Sequence, residues 1–428
     1  MPSRDDRLWN DLMALGGLTD PGRPYTRRCF TDRFLEGRRW LSQRFEDAGL
    51  RVRLDEGGNL IGRLEGGDPF LPVLAMGSHS DTVASGGRFD GPLGVLAGLE
   101  VVRRLRDRGI ALRHPVEIID FLSEEPSDYG PSCIGSRAMT GFLDEPMLSL
   151  ANADGETLAS AMRRMGADPS RLAGPRRNDV AAFLELHIEQ ARVLETRGCN
   201  IGIVTGIVGI ARVEIEFTGA ADHAGTTPFH VRQDALVAAA ATISAVRRLG
   251  EAFAARSQDY FIATTGCIAI QPNAANVVPG TARLVIEARA ERSAHLSDFL
   301  DEISLASLEA ASAANVQRTA FRPLSRSEPA PSDPRLREHL MAAADALALT
   351  AIPMASGAGH DAGFMARIAP MAMVFVPSRD GRSHCPEEWT DAAACSEGAS
   401  VLFEALLRID GDDRFATRDG ASSPARSD

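Results

Sequence analysis

Leu71-Pro-Val-Leu-Ala-Met76 and Val116-Glu-Ile-Ile-Asp-Phe-Leu122 are short, nearly continuous apolar runs, and Gly94-Val-Leu-Ala-Gly-Leu-Glu-Val-Val-Arg-Arg-Leu105 lies between them. Runs of this length suit strands buried on both faces, while the stretch between them has a Gly-rich entry and the apolar repeat of a helix. Strand, helix, strand in that order predicts a mainly parallel or mixed sheet in an α/β domain. Upstream, Asn59-Leu-Ile-Gly-Arg-Leu64 reads as another strand. Residues from about Arg4 to Leu50 carry helical spacing through Leu8, Leu12, Leu15, Phe34, Trp40, Leu41 and Phe45.

The texture changes near Ala211. Arg212-Val-Glu-Ile-Glu-Phe-Thr-Gly219 alternates with period two, Asp234 to Leu249 is Ala-rich and helical, and Phe261 to Ile270 is strand-like. Thr281 to Arg289 alternates again, Leu296 to Ala314 is helical, and Val316 to Leu324 closes the set. The order β-α-β-β-α-β is that of a ferredoxin-like α+β sandwich. A Pro/Ser-rich connector, Ser325-Arg-Ser-Glu-Pro-Ala-Pro-Ser-Asp-Pro334, follows it. Helical and strand texture then resumes over Leu336 to Leu349, Met371 to Val376 and Ala399 to Leu407. One α/β domain, 1–211 with 326–412, is therefore expected to be interrupted by a smaller one at 212–325. Residues 413–428 are polar and Gly/Ser-rich, and are expected to form a disordered tail.

The 428 residues are 44% hydrophobic and 24% charged, an ordinary globular composition. With 46 basic against 58 acidic residues the formal charge is −12, and no dense basic block exists to bind phosphate, which argues against a nucleic-acid partner. No apolar run approaches the ~18–20 residues of a membrane span. The opening Met1-Pro-Ser-Arg-Asp-Asp6 lacks the apolar core of a secretory signal. Cys29, Cys133, Cys199, Cys267, Cys385 and Cys395 are scattered without CxxC pairs, as reduced thiols would be. A cytoplasmic location is expected.

Several of the nine histidines sit beside carboxylates near predicted strand ends, where α/β sheets place their sites. His79 and Asp81 follow the strand ending at Met76, and Asp90 stands in a Gly-rich turn entering the helix. Glu124 and Glu125 follow the strand ending at Leu122. Adjacent carboxylates repel unless solvated or compensated; a metal compensates one, leaving its neighbour to act as a general base on activated water. His187 lies in an alternating run with Glu185 and Glu189, and His384 follows the strand ending at Val376. Taken singly each reads equally well as a structural or solvated side chain. Together His79, Asp90, Glu125, His187 and His384 form a nitrogen and oxygen set suited to zinc or manganese. Arg289, at a strand end, suits bidentate binding of a carboxylate.

Eight stretches recur in a particular order: Gly77-Ser-His-Ser-Asp-Thr-Val83, Gly87-Arg-Phe-Asp-Gly-Pro-Leu-Gly-Val95, Glu124-Glu125 with Gly135-Ser-Arg-Ala138, and Glu185-Leu-His-Ile-Glu-Gln190. Then come Asp222-His-Ala-Gly-Thr-Thr-Pro228, Pro272-Asn-Ala-Ala-Asn-Val-Val-Pro-Gly280, Ser356-Gly-Ala-Gly-His-Asp-Ala362 and Ser383-His384. Over residues 8 to 410 this order resembles the M20 metallopeptidase family, most closely its amidohydrolase branch of N-carbamoyl-L-amino acid hydrolases, β-ureidopropionases and allantoate amidohydrolases. The resemblance implies a mixed-sheet metallohydrolase domain with an inserted lid and dimerisation domain.

It also implies two divalent metal ions per subunit, zinc or else manganese, cobalt or nickel. His79, Asp90 and His187 would hold one ion and Asp90, Glu125 and His384 the other. Glu124 would be the general base and Asp81 the clamp on His79. His223 would polarise the scissile carbonyl, often from a partner subunit, with Gln190, Asn276 and Arg289 contacting substrate and His360 lining the pocket. The implied reaction is hydrolysis of a linear C–N amide in an N-carbamoyl or N-acyl amino acid, a small substrate bearing a carboxylate. A dipeptidase or aminopeptidase of the same family, or an allantoate-type ureide hydrolase, is the alternative. Where many relatives continue Gly-x-Arg-Phe after the paired glutamates, this chain has Pro126-Ser-Asp-Tyr129, which reverses a charge beside the site.

Overall fold

The computed structural model describes residues 4–173, 177–256 and 259–417. Two compact units emerge: one of the chain up to Thr205 with Ser332–Met354 and the segment from His360 onward, the other of Gly206–Pro331 with Ala355–Gly359.

The first unit is built on a large mixed sheet. Its strands follow the spatial order Arg51–Leu54, Leu60–Leu64, Val116–Phe121, Val73–His79, Val180–Ile188, Met371–Val376 and Ile201–Ile207. The four strands from Val116–Phe121 to Met371–Val376 run parallel to one another, and the outer ones pair antiparallel. Every residue of those four is buried, which is why Val73–His79, Val116–Phe121 and Met371–Val376 read as nearly continuous apolar runs, while Val180–Ile188 carries Glu185 and His187 on one face and read as alternating. The crossover between Val73–His79 and Val116–Phe121 is the helix Pro92–Asp107, as its apolar repeat predicts.

Alternation along the strands divides the faces. Leu74, Met76, Ile118, Leu184, Leu186, Val374 and Val376 enter one core with the helices Arg4–Gly17, Pro92–Asp107, Pro334–Ala346 and Ala392–Asp410. The alternate residues, including His79, Phe183, Glu185, His187 and Phe375, take the other face. Because the central strands are parallel, their C-terminal ends share one edge. In register, His79 stands beside Phe121 and His187 beside Phe375.

One detail refines the sequence reading and a second departs from it. The N-terminal helical stretch is two helices, Arg4–Gly17 and Asp32–Asp47, the second started by Thr31, whose side chain accepts the Phe34 N–H. The expected tail begins as structure: Asp413–Phe415 is a 3-10 turn, and Phe415 is buried in the main core. An aromatic ring that reaches apolar surface anchors a segment whose composition otherwise reads as loose. The rest of that tail, from 418, lies outside the described residues.

In the second unit, four antiparallel strands follow the order Gln317–Ser327, Gly209–Thr218, Thr281–Ala290 and Phe261–Gln271. Ala211, Val213, Ile215 and Phe217 point with Leu284, Ile286 and Ala288 into a core closed by the helices Ala235–Arg256 and Ser293–Ala313. The period-two pattern is that of a sheet covered on one face. No helix among the described residues is long and apolar enough to cross a membrane.

Candidate metal centre

His79 is the last residue of its strand. Its Nδ1 lies 3.1 Å from the main-chain oxygen of Asp81 and 3.5 Å from the Asp81 carboxylate. His187 Nδ1 lies 2.9 Å from the oxygen of Ile188. A carbonyl oxygen only accepts, so Nδ1 carries a proton in both rings and Nε2 is the nitrogen whose lone pair can go to a metal. Both lone pairs turn toward Asp90: His187 Nε2 is 3.2 Å and His79 Nε2 3.7 Å from Asp90 Oδ1. His187 Nε2 is buried without a hydrogen-bond partner. On the other side of Asp90, His384 Nε2 lies 3.4 Å from Oδ2 and 3.0 Å from Glu125 Oε1.

Two three-residue groups result, His79–Asp90–His187 and Asp90–Glu125–His384, each with donor atoms within 4.8 Å of one another. Asp90 belongs to both. A third group, Glu185–His187–His360, meets the same distance test. There, however, the Glu185 oxygens already accept hydrogen bonds from Ser78 Oγ at 2.7 Å and the Ala362 N–H at 3.1 Å.

Local sequence explains how Asp90 reaches this place. Gly91 has φ +82, and a Cβ on it would sit 2.3 Å from the His79 ring, so only glycine lets the chain turn here into the helix beginning at Pro92. Asp90 Oδ2 accepts from Gln190 Nε2 at 2.7 Å and from the Ser383 hydroxyl.

The Glu124–Glu125 turn is held from two sides. Asp81 receives their main-chain N–H groups, each at 3.2 Å. The N–H groups of Cys133, Ile134 and Gly135 donate to the oxygens of Glu124, Ser123 and Leu122 at 2.8, 2.9 and 2.7 Å. A Cβ on Gly135 would fall 2.0 Å from Asn59 Oδ1, which accounts for the glycine in Gly135-Ser-Arg-Ala138. Cys133 Sγ lies 3.4 Å from Glu124 Oε1.

The electrostatics call for cations. Asp81, Asp90, Glu124, Glu125, Glu185, Asp361 and Glu388 are all buried. The chain contains no lysine, and among the described residues no arginine forms an ion pair with any of them. Burial pushes the Glu124 carboxyl well above its ordinary range, with Glu125, Asp361 and Asp81 adding to the effect and His79 opposing it. Hydrogen bonds to Asp90 and Glu125 push the His384 imidazole up to about 11. A proton there does the work of a missing positive charge. Converging lone pairs and uncompensated buried carboxylates fit divalent metal ions.

Residues 75–408 match the sequence model of Peptidase family M20/M25/M40. The chain belongs to that family. It is 38% identical over 408 residues to an N-carbamoyl-L-amino-acid amidohydrolase of Paenarthrobacter aurescens, covering 95% of this chain and 98% of the relative. It is 33% identical over 399 residues to an allantoate amidohydrolase of Bacillus subtilis, covering 93% and 95%. A crystal structure of an amidase of the hydantoinase/carbamoylase family from Burkholderia multivorans superposes with a TM-score of 0.88 at 34% identity, covering 94% of this chain and 97% of that one.

This M20 chain places the remaining expected residues as follows. Gln190 is bound to Asp90 rather than standing free. His360 is buried, its ring edge-on to His187 with centroids 4.5 Å apart. Burial, with His187 beside it, pushes its imidazole well below the ordinary value. Asp128, the reversed charge, is paired with Arg28 at 2.7 Å.

His223, Asn276 and Arg289 belong to the second unit. There Asp222–His223 pairs with Val277–Val278, and the Ala224 N–H donates to the Asn276 oxygen at 2.9 Å, so one small ladder carries both residues. His223 is exposed, its Nδ1 accepting from the Gly225 N–H at 3.1 Å. The Arg289 guanidinium is already engaged: Nε and Nη2 meet Glu287 at 2.8 and 2.7 Å, and Nη1 donates to the Gly357 oxygen at 2.6 Å.

Sequence reading passed over Glu388 and Cys133 and gave no role to Ser383, which stood only in the Ser383-His384 motif, while Asp361 was noted only beside His360 in its Gly-rich loop. Glu388 is four residues from His384, the one signal that pointed to it.

Proposed function

We propose that this protein is a metal-dependent amidohydrolase cleaving the linear C–N amide of an N-carbamoyl amino acid. The observation that carries the reading is Asp90 shared between two ligand groups, with Glu124 outside both and 3.7 Å from His79 Nε2. The high identity to an N-carbamoyl-L-amino-acid amidohydrolase across nearly the whole chain supports the substrate class.

His79, Asp90 and His187 would hold one divalent ion and Asp90, Glu125 and His384 the other, as zinc, manganese, cobalt or nickel. Such ions supply Lewis acidity, easing deprotonation of water and polarising a carbonyl. Glu124, its carboxyl held well above the ordinary range by burial, takes a proton from the attacking water and returns it to the departing nitrogen as the C–N bond breaks. The carbamoyl group leaves as carbamate, which decomposes to carbon dioxide and ammonia, and the amino acid is released. Asp81 keeps Glu124 and Glu125 in place through their main-chain amides.

The second unit serves in this reading as lid and dimerisation domain. His223 assists at the substrate carbonyl, from a partner subunit, Asn276 contacts the substrate, and Arg289, oriented by Glu287, binds its carboxylate. In this reading the enzyme works in the cytoplasm.

The test is a panel of N-carbamoyl-L-amino acids, allantoate, N-acyl amino acids and dipeptides, assayed on chelator-treated protein with each metal restored. Metal-dependent ammonia release from N-carbamoyl amino acids is expected. Turnover confined to dipeptides would favour a peptidase, turnover confined to allantoate a ureide hydrolase, and silence across the panel would overturn the proposal.

A further inference from the structure

Glu388 lies 298 positions from Asp90, yet its carboxylate is built into the same site. It is 1% exposed. One oxygen, Oε1, accepts the main-chain N–H groups of Phe89 at 2.8 Å and Asp90 at 3.1 Å. The other, Oε2, meets the Ser383 hydroxyl at 2.8 Å, and that hydroxyl also contacts Asp90 Oδ2. Ser383 immediately precedes His384, whose φ of 56 is a strained value for a non-glycine residue. Room for the carboxylate depends on Gly87, where a Cβ would overlap it at 1.9 Å.

Asp90 is thus gripped by its backbone and, through Ser383, by its side chain. The same carboxylate pins the loop that presents His384. No arginine pairs with Glu388 among the described residues, so its burial is not explained by a structural ion pair.

We infer that Glu388 is a positioning residue for metal binding: a strut that fixes the shared ligand Asp90 and the His384 loop in one arrangement before an ion arrives. This rests on the proposed metal-dependent function. The strut works by accepting hydrogen bonds, not by its charge. A glutamine could keep its oxygen on the Phe89 and Asp90 amides and donate its NH2 to Ser383 Oγ, leaving the Ser383 proton for Asp90. Outer partners of metal ligands are commonly worth about 10- to 100-fold in affinity.

Equilibrium dialysis against zinc or manganese, with bound metal quantified and no substrate present, tests this on full-length protein. Glu388→Ala is expected to weaken binding by at least about tenfold, and Glu388→Gln to return it to within about threefold of wild type. Glu388→Ala leaves the buried Phe89 and Asp90 N–H groups without an acceptor, so its metal-free melting temperature should fall, and affinities are compared well below the melting temperature of every variant. If Glu388→Ala fails to fold, Ser383→Ala carries the test, with a loss of about threefold or more expected.

Alanine variants that bind metal like wild type overturn the strut alone. Glu388→Gln as weak as Glu388→Ala overturns the hydrogen-bond account in favour of charge. Wild-type protein that takes up no divalent ion overturns the strut together with the proposed function.

Discussion

The Asp81 carboxylate accepts the main-chain N–H of Glu124 across 3.2 Å, joining residues 43 positions apart. Its second oxygen does the same for Glu125. Asp81→Asn replaces one acceptor by an NH2 group facing an N–H donor, which displaces the turn carrying the proposed base. A fall in kcat of about 10- to 100-fold with little change in KM is expected. Steady-state kinetics beside bound-metal measurement checks it; an unchanged kcat would remove Asp81 from the positioning scheme.

Glu124 belongs to neither ligand group, so Glu124→Gln should separate chemistry from metal binding. Turnover is expected to fall by about 10²- to 10⁴-fold while the metal content stays that of wild type. Loss of metal in the same variant would instead make Glu124 a ligand.

Gly91→Ala places a methyl group 2.3 Å from the His79 ring on a backbone with φ +82. With ψ −59 this conformation is strained for any residue bearing a side chain and alone costs about 1–3 kcal/mol, and relieving the clash must move either His79 or Asp90. Reduced metal affinity together with a lower urea midpoint is the expected outcome. Wild-type affinity in this variant would mean that the two ligands tolerate displacement.

Chelation should destabilise the protein, since buried carboxylates lose their counter-ions. At an ion concentration of a thousand dissociation constants the linkage is worth about 4 kcal/mol, visible as a higher Tm with zinc than with chelator. The pH dependence has a definite sign. His384, held by Asp90 and Glu125, titrates at about 11 when folded and near the ordinary value of about 6.5 when unfolded. Its stabilising contribution is full below the unfolded value and is lost as pH rises through the folded one. Urea midpoints of chelated protein should therefore decline between pH 7 and 9, and those of zinc-loaded protein should not show that decline through His384. Parallel slopes in the two states would contradict its role as a ligand.

Some of this was legible in the sequence for plain reasons. Strands buried on both faces are mostly apolar, so Val116–Phe121 and Met371–Val376 announced themselves, as did the helix between the first two parallel strands. Parallel strands share an edge, so polar residues just past apolar runs became candidates together. Thr281–Ala290 alternated because one of its faces is covered and the other is not. The extra turn at Phe415 escaped notice because a lone aromatic in a polar segment shows its anchor only once the core it joins exists.

The sequence by itself determined which side chains are available and that most lie at strand ends: His79, Asp90, Glu124, Glu125, His187 and His384, in an order that resembles one family. Only the tertiary structure decided which atoms meet. It turned the Asp81 carboxylate toward two amides 43 and 44 positions away, engaged Arg289 with the Gly357 oxygen, and brought Glu388 against the Asp90 amide. Local pattern records burial and period, which depend on neighbours in the chain. Hydrogen-bond partners hundreds of residues apart are selected by packing, and no local pattern encodes them.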